Sequence, residues 1–116
     1  MKEVEFPFDV EKFFEKCANY KNIPRNDFEK QVILIRLIKE FQDNKKYSEE
    51  EVNKIIKKYF EDCALLRREL INFRYMQRNL DTGEYWVIKR KLTIDDIKNN
   101  IVLRRHAKSY KILKMK

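Results

Sequence analysis

Apolar residues recur at helical spacing in five stretches of the chain and alternate with polar ones in a sixth. Val10, Phe13, Phe14 and Cys17 stand at i, i+3, i+4 and i+7 behind Asp9, a residue suited to capping a helix N-terminus. The stretch from Lys21 to Asn26, with Pro24, breaks the pattern and reads as a linker. Asp27 is the expected cap of a second helix with Phe28, Val32, Ile35 and Ile38 on one face, ending near Asp43 and Asn44. Its centre, VILIRLI, is apolar nearly all round, which marks a helix packed on several sides. The third start is the clearest. Ser48 and Glu51 have capping-box spacing, and Tyr47 and Val52 flank them as a hydrophobic staple. The stripe Val52, Ile55, Ile56, Tyr59 and Phe60 follows, and Asp62 then reads as a fourth cap.

On the fourth helix Cys63, Leu66, Leu70 and Phe73 share one face, which predicts core. Ala64, Arg68, Asn72 and Tyr75 fall on the opposite face, and Arg67, Ile71 and Arg74 lie at the margins. Next, Asp81-Thr82-Gly83 separates two strand-like runs, and the chain's only glycine supplies the positive φ of a hairpin turn. Tyr85 and Trp86 point to opposite faces of the second strand, so one of them is expected in the core. Thr93 and Asp96 open a last helix with Ile94, Ile97 and Ile101 inward, ending in Arg104, Arg105 and Lys108. The tail SYKILKMK is ambiguous between helix, strand and disorder. The fold class expected is mainly α with one β-hairpin: a winged helix-turn-helix with extra N- and C-terminal helices. Residues 1–116 form one domain in this reading, with an N-terminal helical extension at 1–26, a winged-helix core at 27–90, and a C-terminal helix and basic tail at 91–116.

Charge changes this picture in one respect. Residues 1–61 hold 13 basic and 13 acidic side chains, whereas 62–116 hold 14 basic against 6 acidic, so the whole excess of +8 lies in the second half. Such asymmetry points to a polyanionic partner. No apolar run approaches the roughly 20 residues of a membrane span, and the acidic N-terminus lacks a signal-peptide core. Cys17 and Cys63 sit alone in helical patterns and are read as reduced thiols of a cytoplasmic protein.

The segments YSEEEVN at 47–53, DCALLRRELI at 62–71, Arg78 and GEYW at 83–86 resemble an uncharacterised bacterial domain often found in proteins described as transcriptional regulators. The resemblance covers roughly residues 27–90. It implies a winged-helix-like fold and a role in transcription. The segment from the fourth helix to the hairpin is also similar to arsenic-repressor-type winged helices, in which that helix enters the major groove. Two departures stand out. Arg74 occupies the place near the helix end where those families carry glycine, so this helix is expected to end differently. The hairpin tip holds Asp81 and Glu84, where a minor-groove wing would carry Arg or Lys.

The candidate DNA contacts are Arg67, Arg68, Asn72, Tyr75, Arg78, Lys89, Arg90 and Arg104. Arg and Asn at successive turns of one face match the donor and acceptor pairs of guanine and adenine in the major groove. Each candidate also has a plain structural alternative. Arg68 is then a solvated charge, Arg67 a partner for an acid of the third helix, Arg78 a cross-strand partner of Glu84, and Lys89, Arg90 and Lys91 a solvated run. Catalysis has little support. His106 lies in a basic stretch with no neighbouring acid, the cysteines lack a companion histidine, and no ligand spacing suggests a metal. The expectation is therefore a non-enzymatic binder of double-stranded DNA, acting without cofactor and as a homodimer. The alternative is a protein-interaction module with an apolar patch of Leu65, Ile71 and Tyr75. An RNA-binding domain using the basic tail is weaker still.

Overall fold

The computed structural model describes residues 2–108. The described chain is mainly helical, with six helices and a two-stranded antiparallel sheet: α1 (Val10–Asn19), α2 (Asp27–Ile38), α3 (Glu49–Ile56), α4 (Cys63–Asn72), β1 (Met76–Arg78), β2 (Tyr85–Val87), α5 (Ile94–Lys98) and α6 (Ile101–Lys108). The expected alternatives for the tail fall outside the described residues.

α2 is the central post. Phe28, Val32, Ile33, Leu34, Leu37 and Ile38 are fully buried, as expected of a helix apolar nearly all round. α1 and α6 pack along it, and so does α4, which in turn pairs with α3. Its cap is Asn26 rather than Asp27, because the Asn26 carboxamide oxygen accepts from the N–H groups of Phe28 and Glu29. The freed Asp27 N–H donates to His106 Nδ1 of α6 at 2.7 Å. α2 also stops earlier than expected, at Ile38. The turn after it tightens into i→i+3 bonds, and Arg90 closes on the exposed carbonyls.

The capping signals at Asp9, Ser48–Glu51, Asp62 and Thr93–Asp96 all form as read. The last helix does not run through. Asn99 ends α5, and the Asn100 carboxamide accepts from Leu103 N–H, starting α6 as a separate helix. The break turns Ile101 outward, contrary to its expected inward position: it is 67% exposed.

Gly83 (φ +74°) makes the hairpin turn, and the register pairs Met76 with Val87, Gln77 with Trp86 and Arg78 with Tyr85. Tyr85 is the buried member of the Tyr85–Trp86 pair. It also exchanges both backbone hydrogen bonds with Tyr47, at 2.8 Å each, so the segment before α3 adds a one-residue bridge to the hairpin. A second bridge, Glu3 with Thr93, ties the N-terminal segment to the start of α5.

α4 ends in a Schellman motif: Tyr75 N–H donates to the Leu70 carbonyl and Arg74 N–H to that of Ile71. The left-handed residue is Arg74 (φ +66°). The helix thus ends with the turn that glycine favours, despite its side chain. A left-handed L-residue costs roughly 1–2 kcal/mol, so Arg74→Gly should raise unfolding free energy by about 1 kcal/mol once the looser unfolded chain is counted. Urea denaturation of the two proteins checks this, and an unchanged or lower midpoint contradicts it.

Candidate functional site

The early end of α4 decides which candidates meet. A straight helix would carry Tyr75 onto the face of Arg68. The Schellman turn instead drives it inward, where it is fully buried. Its hydroxyl donates to Gln31 Oε1 at 2.7 Å, and burial pushes its pKa well above the usual phenol range. Tyr75 is therefore a core residue and not a surface contact. The apolar patch expected for an interaction module loses its third member for the same reason.

Two further candidates are occupied within the fold. Arg90 donates to Asp43 Oδ1 (2.9 Å) and to the carbonyls of Ile38 (2.9 Å) and Phe41 (2.6 Å), capping the end of α2. Lys89 lies 3.4 Å from Asp96 Oδ2, with its ammonium 4.4 Å from the centre of the Tyr75 ring. Arg104 is exposed on α6. Arg90→Gln should accordingly lower stability by about 1–3 kcal/mol, the range for losing hydrogen bonds to a charged group. In a thermal melt its midpoint falls. An unshifted midpoint would show that these bonds contribute nothing.

The remaining candidates converge. The outer face of α4 and the hairpin enclose an open groove of ≈ 960 Å³ lined by Arg67, Arg68, Asn72, Arg74, Gln77 and Arg78, with Ala64, Ile71, Met76, Leu80, Tyr85 and Ile88 between them. No carboxylate is among the lining residues. Arg67 donates to Asn53 Oδ1 and pairs with Glu49 at 3.5 Å, the contact expected with an acid of the third helix. Arg78 does not pair with Glu84. Its guanidinium stands 4.0 Å from Glu49 and over the Tyr85 ring, because the register sets Arg78 opposite Tyr85. Arg68 and Arg74 are exposed, and their side chains make no hydrogen bond or ion pair among the described residues. Asn72 donates Nδ2 to Glu69 Oε1 at 3.2 Å, leaving its carbonyl oxygen to the solvent side.

Glu69 links this surface to the core. Its other oxygen is 2.7 Å from Lys30 Nζ, which also lies 3.3 Å from Asp27. Burial pulls the Lys30 pKa down. The hydrogen bond and charge of Glu69, with those of Asp27, outweigh it and leave the pKa raised. Sequence reasoning assigned neither Arg74 nor Gln77 to the site. Arg74 lay at the margin of the predicted helical face, and Gln77 carried no signal beyond its place on a strand next to the turn.

Among the described residues no group of His, Cys, Asp and Glu could hold a metal ion, and no helix is long and apolar enough to cross a membrane. Cys17 and Cys63 are buried free thiols, and burial raises the Cys17 pKa.

The fold and groove define a small, mainly helical domain with a hairpin and an arginine-lined cleft. The chain belongs to a bacterial family described as "uncharacterized protein conserved in bacteria" (DUF2087), which matches residues 19–87. That span covers α2, α3, α4 and the hairpin, and with them every lining residue of the groove except Ile88. No curated protein and no solved structure matches the chain.

Proposed function

We propose that the protein is a winged-helix transcriptional regulator that binds duplex DNA across the α4–hairpin groove. The observation that carries this reading is the convergence of Arg67, Arg68, Arg74 and Arg78 on one concave surface with no lining carboxylate. The order of elements adds support: helix, bridging residue, two helices, then a hairpin paired to that residue, as in a wing. Arg68 and Asn72 supply donors and an acceptor for base edges, and the flanking arginines neutralise phosphates. Arg90 and Lys89 serve the scaffold, so the contact set is narrower than charge alone suggests. A homodimer reading two half-sites completes the proposal.

Fluorescence anisotropy with labelled duplex DNA over a range of salt concentrations tests it. Four arginines predict a slope of about −2 to −4 in log K against log salt. No binding at low salt, or a flat salt response, overturns it.

One observation favours a protein-interaction module instead. Leu80 (83% exposed) and Ile88 (49% exposed) stand at the same groove beside an acidic hairpin tip. In that reading Leu80→Asp, which leaves the core untouched, abolishes partner capture, while Arg68→Glu has little effect.

A further inference from the structure

A second cavity of ≈ 450 Å³ adjoins the groove, between the end of α4 and the α5–α6 corner. Its floor is Gln31, fully buried, with Nε2 donating to the Asp27 carbonyl and Oε1 accepting from Tyr75. Both ends of that carboxamide are fixed, so the floor is rigid and polar. Around it stand two cations, Arg74 and Lys89, against one carboxylate, Asp96. Asp96 Oδ2 already accepts from Thr93 N–H (2.8 Å) and faces Lys89, whereas the Arg74 guanidinium has no partner among the described residues. The Asn99 carboxamide is exposed. Asn100 uses only its oxygen, for Leu103 N–H, and so retains its amide donor.

We propose that this cavity binds a small hydroxy- or amino-acid anion and that the bound anion weakens the hold of the groove on DNA. The volume lies within the range of about 300–1,000 Å³ typical of small-molecule sites. The excess of cations selects an anion. The carboxamides, which both donate and accept, select one that also carries hydroxyl or ammonium groups. The coupling has a physical carrier: Asn72 and Arg74 line both the cavity and the groove. An anion that engages the Arg74 guanidinium withdraws it from phosphate, and by linkage DNA weakens the anion equally. The site stands on its own geometry, whereas its effect on DNA rests on the function proposed above.

The test uses the whole protein and three probes, citrate, glutamate and inorganic phosphate, at constant ionic strength. Nuclear magnetic resonance should show saturable shifts at the side chains of Arg74, Asn99 and Asn100 with citrate or glutamate, and weaker ones with phosphate. Asn99→Asp, which lies outside the groove, should reduce that affinity by about tenfold through one adjacent like charge. It should leave DNA binding without citrate unchanged. Anisotropy should then show citrate weakening DNA binding by the native protein but not by Asn99→Asp. Equal inhibition of both proteins would mean general anion competition and overturn the coupling. Absence of saturable shifts with all three probes at millimolar concentration, or equal affinity for phosphate, overturns the site. Saturable citrate shifts in a protein that binds no DNA would keep the site and sink the DNA reading alone.

Discussion

Arg68→Glu is expected to weaken duplex DNA binding by about a hundredfold while leaving the thermal midpoint in place. A well-placed arginine pair to a base is worth roughly 1–3 kcal/mol, and reversing the charge adds repulsion from phosphate. The side chain is exposed and without a partner among the described residues, so folding should not register the change. Paired anisotropy and melting curves decide the outcome. Lost affinity with an intact melt supports the groove as the DNA surface. Unchanged affinity, in a protein whose Leu80→Asp variant loses a protein partner, transfers the groove to the interaction reading.

The second large effect concerns stability. Glu69→Ala should destabilise the fold by about 2–3 kcal/mol, because it strips Lys30 of its closest counter-charge in a largely buried place. The usual cost of breaking a buried pair is roughly 3–5 kcal/mol, and the remaining Asp27 oxygen at 3.3 Å places this case at or below the lower end. The double variant Lys30→Met with Glu69→Leu should recover most of the loss, since two apolar side chains leave no orphaned charge. Urea denaturation of the native protein, Lys30→Met, Glu69→Leu and the double variant measures the coupling, with Glu69→Ala run beside them. A double variant no more stable than Glu69→Ala would mean that the pair contributes packing rather than charge compensation.

Most local signals were legible in the sequence, the Asn26 and Asn100 caps excepted, and long-range ones were not. Ser48 with Glu51, Thr93 with Asp96, Asp62 and Gly83 each act within a few residues, and each does what its spacing implies. The errors at the candidate site arise chiefly from partners far along the chain. Arg90 finds carbonyls 49 and 52 positions away, and Tyr75 finds Gln31 at a separation of 44. No periodicity encodes such pairings. The helical wheel misplaced Tyr75 for a more specific reason: it carried α4 past Asn72, and with arginine in the left-handed position there was no glycine to mark the stop. Of the candidate site, Arg67, Arg68, Asn72 and Arg78 were read from sequence and do line the groove. Lys89 and Arg90 were counted as free charge because their acids, Asp96 and Asp43, are brought to them only by the fold.

The pairing of Glu3 with Thr93 has a practical consequence. The family match begins at Asn19 and stops at Val87, yet α2 is sheathed by α1 and α6, which lie largely or wholly outside those limits. A fragment trimmed to the matched span would shed both flanking staves and leave a greasy cylinder open to water. Dissection of this domain therefore has to keep its two ends together, since each latches the other against the post they jointly clad.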